Sequence, residues 1–252
     1  MKLLIVFTLI ILLVESKADC QVKIECNKVD TGLNYKKNPN TKVWKINDAV
    51  VAYESEMTID VDGSPQAYHP QNIGLDNLSS AGGITNLSKN VIVFEGDKPY
   101  IQTEEDPFPG YYLSQTSLQD ATKKVTDYRR YVNSEEIPYI AIPANLRTIG
   151  VKNGDLAYVF SRKTGKSCFA IIADTGSNTH IGEGSIKLAE NLGIKLIYKK
   201  TIKQIVGSDS SGGIVYLIFP NSGIKKPLTL AQIEAQSQQF NMAEINNILE
   251  CL

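Results

Sequence analysis

The sequence is poor in residues that bind transition metals, and it has no excess of basic charge. Its 252 residues include only two histidines, His69 and His180, and none of its 4 cysteines form a CxxC pair, so we expect no zinc site. Lys and Arg number 26 against 27 Asp and Glu, a net charge of −1, which gives no basic face for nucleic acid. No motif indicates a cofactor.

Long apolar runs are missing except at the very start of the chain. Lys2 precedes an apolar run over residues 3–14, and small and polar residues follow, which is typical of a secretory signal peptide. Cleavage after Ala18 would leave residues 19–252. A lipoprotein signal at Cys20 is the alternative, but Lys17 and Asp19 do not fit it. We expect a secreted, extracellular, monomeric protein without stable membrane association.

The cysteines are few but even in number, which in an exported protein favours one or two disulfides. Their spacing leaves the pairing open. They are Cys20, Cys26, Cys168 and Cys251.

No Pro-rich or Ser-rich linker divides the chain, so we expect a signal peptide over 1–18, an irregular lead-in over 19–45 and one catalytic domain over 46–252. Within that domain, short β-branched and aromatic runs alternate with turn residues, which predicts a mostly β fold. Two helical patterns interrupt it, a short one over 185–194 and a C-terminal helix beginning near Thr229.

One turn indicates a specific architecture. The stretch IGVKNGDLAYVF, residues 149–160, resembles the GD-box of double-psi β-barrels, although an ordinary hairpin turn would give the same pattern. The expected core is therefore a six-stranded double-psi β-barrel-like domain with the two helices added.

The stretch CFAIIADTGSNTHIGEGS, residues 168–185, contains two carboxylates in unlike settings. Asp174 follows an apolar run that predicts a buried strand, and desolvation there would raise its pKa toward the range of a general acid. Glu183 lies between two glycines, so water or a ligand can approach it. Such a pair suits acid and base roles. The alternatives are a turn-forming aspartate and a helix-capping glutamate.

Asp174-Thr175-Gly176 also imitates the catalytic turn of aspartic proteases. A pepsin-like enzyme needs two such turns in one chain, and this chain has one. A retroviral-type protease needs a flap hairpin where the sequence predicts a helix. An aspartic protease is therefore only a remote alternative.

Several segments, taken together and in order, resemble the fungal-type chitosanases of glycoside hydrolase family 75. They cover most of residues 50–225 and are MTIDVDGSPQAYHPQNIGLDNLSSAG (57–82), DPFPGYYLSQTSL (106–118), IPYIAIP (137–143), residues 154–194, and IVYLIFPNSG (214–223). The resemblance implies endo-hydrolysis of β-1,4-glucosamine chains with inversion, with Asp174 and Glu183 as the catalytic pair. Asp174 is the expected acid and Glu183 the expected base, and the reverse assignment stays open.

A chitosan chain is a polycation, so carboxylates are expected along its binding cleft. The motif match makes Asp60, Asp62, Tyr68 and His69 candidate substrate-binding residues. Tyr111 and Tyr112 are candidate platforms for sugar stacking, of which alternation predicts that one faces the cleft. Further acidic candidates are Glu54, Glu56, Glu104, Glu105 and Asp106. An expansin-like binding module and a peptidoglycan-cleaving barrel enzyme are the competing hypotheses.

Overall fold

The computed structural model describes residues 26–252, so the predicted signal peptide lies outside the described residues. The strands are β1 (Lys28–Asp30), β2 (Val43–Ile46), β3 (Val50–Ser55), β4 (Thr58–Asp60), β5 (Phe94–Glu95), β6 (Lys98–Pro99), β7 (Tyr139–Pro143), β8 (Leu156–Ser161), β9 (Ser167–Gly176), β10 (Glu183–Ser185), β11 (Leu196–Tyr198), β12 (Ile205–Ser208) and β13 (Ile214–Phe219). The helices are α1 (Ile186–Asn191), α2 (Leu230–Ser237) and α3 (Met242–Cys251), with short 3-10 helices at Tyr128–Arg130 and Ala144–Ile149.

Nine strands form one mixed sheet in the order β1-β2-β3-β13-β8-β9-β7-β10-β4, and two small hairpins lie apart, β5 with β6 and β11 with β12. The pairs β7/β9 and β10/β4 are parallel, and the other neighbours in the large sheet are antiparallel. The predicted mostly β fold is confirmed. The sheet includes nine strands, more than the six expected of the barrel.

The central strands are buried on both faces. Along β13, Ile214, Tyr216 and Ile218 belong to one apolar core, and Val215 and Leu217 belong to the other. The first core also receives the apolar side of α1. The second is covered by α2 and α3 through buried isoleucines at positions 233, 245 and 248. Two apolar layers therefore hold one sheet between them, and its last strands carry the candidate site.

Two short strands interrupt the irregular lead-in that the sequence predicts over 19–45, and residues 31–42 between them contain no helix or strand. β1 and most of β2 lie there and extend the sheet beyond β3, and Tyr35 is 1 % exposed within the first core. These strands are short and pair with a neighbour along the sheet, so little periodicity marks them in the sequence. The folded domain consequently begins before residue 46.

The C-terminal region contains two helices where one was expected. Thr229 caps α2 through a bond from Gln232 N, and Asn241 starts α3 by accepting from Ala243 N, so the chain turns between two separate helix starts. A disulfide joins Cys26 to Cys251 and fastens α3 to the beginning of the described chain. Cys168 is outside any disulfide of the described residues. No helix within residues 26–252 is long and apolar enough to span a membrane.

Candidate active site

A β-bulge in β9 determines where Asp174 points. Ile172 pairs with Ile140 of β7, but the next partner of β7, Ala141, pairs with Asp174, so Ala173 is an extra residue in β9. Strict alternation would place Asp174 on the same face as Ile172, in the apolar core. The extra residue turns Asp174 to the face of Ala141 instead, a role that bulges often have beside active sites.

Glu183 reaches the same face from the other side of β7. It is the first residue of β10 and also pairs with Ala141, while Gly184 pairs with Ile140. Residues that pair directly across strands share a face, so Asp174 and Glu183 flank Ala141 on one surface. Two strand spacings separate their backbones, about 10 Å.

The side chain of Glu183 extends toward β9 and places its carboxylate against Gly176, which shortens this separation. A Cβ built on Gly176 would collide with Glu183 Oε2, so only glycine leaves room for the carboxylate there. Gly176 lies two residues beyond Asp174 on the same face of β9, about 7 Å along the strand. Asp174 and Glu183 therefore present their carboxyl groups on one face of the sheet, on either side of Ala141.

Asp174 lies in a buried but hydrogen-bonded setting. It is 7 % exposed, and its Oδ1 accepts from Ser117 N at 2.9 Å, Ser117 Oγ at 2.6 Å and Thr175 N at 2.7 Å. Burial raises the pKa of Asp174 to about 6, although the bonds from Ser117 and Thr175 oppose that rise. The nearby Glu183 charge adds to the rise. An acid of this kind keeps its proton in mildly acidic solution.

Asp60 and Asp62 complete an acidic group around Asp174. Carboxylate oxygens of Asp60, Asp62 and Asp174 lie within 4.8 Å of one another. Burial and the neighbouring carboxylates hold the pKa of both Asp60 and Asp62 well above its usual range. Hydrogen bonds to Asp62 Oδ1 from Tyr68 Oη at 2.9 Å and Ser114 Oγ at 3.2 Å lower the pKa of Asp62 and so oppose part of that rise. We call Asp60, Asp62, Asp174 and Glu183 the carboxylate cluster.

The three aspartates of the cluster are also the place where the described residues could bind a metal ion. Closely spaced carboxylate oxygens are the ligands that Ca²⁺ and Mg²⁺ take. The expectation of no metal site was based on cysteine and histidine spacing, which carries no information about carboxylates. Protons held by the carboxyl groups, together with the hydrogen bonds donated by Tyr68, Ser114 and Ser117, offset the negative charge of the same aspartates without an ion.

His180 is the one histidine in contact with the candidate pair. It is 8 % exposed, and its Nδ1 lies 3.5 Å from Glu183 Oε1. The Glu183 side chain keeps 29 % of its surface accessible, so water can approach it. From the sequence, His180 lies between the two carboxylates and is either a loop residue, which is the expectation, or a group that tunes them; its contact with Glu183 favours the second interpretation.

The predicted substrate-binding residues divide into two groups. Tyr68 is 2 % exposed and is bound to Asp62, so it supports the cluster from within. His69 packs edge-on against Tyr111 with ring centroids 4.7 Å apart, and both are partly exposed. Tyr112 pairs with Tyr68 and packs against a third apolar core. Of the two adjacent tyrosines, Tyr111 has the surface position that stacking on a sugar requires.

The more distant acidic candidates have local partners. Glu54 forms an ion pair with Arg162 at 2.8 Å. Asp106 Oδ2 accepts from Tyr100 Oη and from Thr103 in its own loop, and Glu104 and Glu105 are exposed beside it. Glu54 lies on β3 and the other three lie in a loop, and all of these contacts are at the protein surface.

Three residues lie within segments quoted in the sequence analysis but were given no role in the site: Ser117, Gly176 and the bulge residue Ala173. Ser117 is 57 residues away from Asp174 in sequence, and a bulge depends on the partner strand.

Comparison with known proteins adds no assignment. No family model matches the chain, and a search of curated proteins gave no match.

Proposed function

We propose that the protein is an inverting glycoside hydrolase that cleaves within β-1,4-glucosamine chains such as chitosan. The observation that supports this best is the pair of carboxylates on either side of Ala141, on one face of the sheet and in unlike surroundings. Inverting enzymes need two carboxyl groups roughly 6.5–9.5 Å apart, with room for a water molecule between base and sugar. The register of β7, β9 and β10 and the position of Glu183 over Gly176 suit that range.

In this mechanism Asp174 is the general acid. All three hydrogen-bond donors reach its Oδ1, so Oδ2, which has no protein partner among the described residues, is the oxygen that carries the proton. It gives that proton to the glycosidic oxygen as the bond to the anomeric carbon breaks. A pKa of about 6 keeps the acid protonated below that pH.

Glu183 is the general base. Its accessible carboxylate orients a water molecule and takes one proton from it while the water oxygen bonds to the opposite side of the anomeric carbon. His180 Nδ1 lies beside this carboxylate, 3.5 Å from Oε1. The reducing end released carries the inverted configuration.

An amino-sugar polymer suits the charge of the site. A protonated amine near Asp60 and Asp62 would stabilise the ionised forms that burial disfavours, so ligand binding and ionisation of the cluster would favour each other. Tyr111 beside His69 offers an aromatic surface for a neighbouring sugar. Secretion, a monomeric state and the absence of nucleic-acid partners belong to the same proposal.

The six-stranded double-psi barrel is the finer architecture that we propose for the core. It is supported by the parallel pair β7/β9 and by the turn before β8, where Gly154 N donates to Ile172 O and Asp155 Oδ2 accepts from Lys152 N. An experimental structure in which β7 and β9 do not pair would overturn this proposal.

A reducing-end assay tests the function. We expect residues 19–252 to release oligosaccharides from chitosan more readily than from chitin, cellulose or peptidoglycan. Asp174→Asn and Glu183→Gln should each lower kcat by a factor on the order of 10³. The exposed substitutions Asp97→Asn and Glu190→Gln are the matched controls and should retain wild-type rates.

The same assay separates the alternatives. An expansin-like module would bind polysaccharide without releasing reducing ends, and a peptidoglycan enzyme would act on cell-wall sacculi and leave chitosan intact. A protease would be blocked by a statine-type inhibitor. Wild-type activity in either carboxylate variant would remove that residue from the mechanism.

A further inference from the structure

A pocket of about 610 Å³ is lined in part by residues that contact Asp174 or its neighbour Thr175. Ser117, one of its lining residues, donates both its N–H and its hydroxyl to Asp174. Arg147, another lining residue, donates Nη2 to Thr175 Oγ1 at 2.8 Å, one position after Asp174. Ser117 and Arg147 therefore connect the pocket to the segment that carries Asp174.

The charge of this pocket is opposite to that of the cluster. Its lining includes four cationic side chains and no carboxylate, and none of the four forms an ion pair with any described residue. We call it the basic pocket; its cations are Arg130, Arg147, Lys152 and Lys225. Lys152 also interacts with the nearby Asp155 carboxylate, and the remaining positive charge on several sides of one concavity favours an anionic ligand.

Neutral contacts hold several of these side chains in place. Arg130 donates Nε to Gln119 Oε1 at 3.1 Å and Nη1 to Lys123 O at 2.6 Å. Lys152 Nζ donates to Asn221 Oδ1 at 2.6 Å. Because these partners carry no charge, they orient the cations and leave their charge available. Orientation before binding lowers the entropy lost when a ligand arrives.

The pocket also contains a buried acceptor that lacks a partner. Asn153 Oδ1 is inaccessible to solvent, and no described residue donates to it. Because no solvent-sized group reaches this atom, it is part of the pocket wall and offers no contact to a ligand. The cations of the lining are what favour a sugar that carries a negatively charged substituent.

We propose that the basic pocket binds a carboxylate or sulfate substituent of a sugar in the polysaccharide chain that occupies the carboxylate cluster. The proposal rests on the proposed function, because that function supplies the adjacent polysaccharide. An unmodified glucosamine would bring its cationic amine toward four cations. The protein would therefore accept amino sugars at the cluster and prefer an acidic sugar at the neighbouring position.

Binding to catalytically inactive protein tests this without hydrolysis of the ligand. The protein is Glu183→Gln at low ionic strength, where charges are least screened. The probes are a 6-O-sulfated glucosamine oligosaccharide, the unmodified oligosaccharide of equal length, and sodium sulfate. We expect Arg147→Gln with Lys152→Gln to weaken binding of the sulfated probe about tenfold, without weakening the unmodified one. Lys98→Gln with Lys203→Gln makes the same change in net charge elsewhere and should leave both affinities unchanged.

Three results would overturn the proposal: equal weakening of both oligosaccharides, equal weakening by the control pair, or sodium sulfate binding as tightly as the sulfated sugar. The last would identify a site for free anions. Failure of the proposed function has a different signature, the absence of reducing ends from unmodified chitosan with wild-type protein. A wild type that cleaves chitosan while the pocket variant binds both probes normally would remove the pocket proposal alone.

Discussion

The carboxylate cluster and the basic pocket are neighbours with opposite charge, and they are built in different ways. The three aspartates of the cluster are largely buried, and burial together with their mutual repulsion raises the pKa of Asp60 and Asp62. The cations of the pocket are exposed, except for the partly buried Arg130, and their partners are neutral amide and carbonyl groups. Burial suits a site that must store and transfer protons. Exposure suits a site that attracts a charged group without changing its own ionisation.

Apart from replacing the two carboxylates themselves, the largest expected effect comes from filling the space between Gly176 and Glu183. Gly176→Ala places a Cβ against Glu183 Oε2 and displaces the carboxylate, so we expect kcat/KM on chitosan to fall at least 10²-fold. Gly207→Ala is the matched control, because nothing lies within 4 Å of a Cβ there. Unchanged activity in Gly176→Ala, with the fold checked by thermal unfolding, would contradict the role of Glu183.

The next effect concerns the proton on Asp174. Activity should decline as the pH rises above about 6, because the acid loses its proton there. Ser117→Ala removes one hydrogen bond that favours the charged form, so the decline should move to higher pH by a fraction of a unit to about one unit. The pH profile of kcat/KM on soluble oligosaccharides measures this, with exposed Ser79→Ala as control. An unshifted profile would indicate that Asp174 is not the titrating acid.

A smaller effect is expected on stability. Above pH 4 the folded cluster binds more protons than the unfolded chain, whose aspartates have the ordinary pKa of 3.8. The free energy of unfolding should therefore decrease as the pH rises from about 4 through the raised folded values. Asp62→Asn keeps an acceptor for Tyr68 and removes a buried charge, so it should stabilise the protein by about 1 kcal/mol at pH 7.

Denaturant unfolding at pH 4 and pH 7 measures this difference. Lys152→Gln in the basic pocket is the contrasting variant and should change stability by less than about 0.5 kcal/mol at both pH values, because it is an exposed substitution. Destabilisation by Asp62→Asn at pH 7 would show that ionised Asp62 is favourable in the folded protein.

The smallest expected effect is that of chelation. Because protons and hydroxyl donors already compensate the three aspartates, dialysis against EDTA should leave chitosan hydrolysis and the unfolding temperature unchanged within error. A loss of both that Ca²⁺ or Mg²⁺ restores would show that the cluster binds a metal ion, and it would require a different role for Asp174.

The sequence by itself determined the mostly β character, the short helix after Glu183 and the apolar run that buries Asp174. These are local properties, because alternation, turn residues and helix caps act over a few positions. It also singled out Asp60, Asp62, Tyr68 and the two candidate catalytic carboxylates as residues with chemistry to offer.

Only the tertiary structure decided how those residues meet. Asp174 does not point to the face of Ile172, because Ala173 is an extra residue in β9 opposite β7. Glu183 lies on the same face as Asp174, because β10 pairs with the same residue of β7, Ala141. The basic pocket is assembled from cations at positions 130, 147, 152 and 225, which form no cluster in the sequence. The short strands of the lead-in, too, are ordered by partners elsewhere in the sheet. Strand register and long-range contact depend on pairs of distant segments, and a local pattern contains no information about the partner.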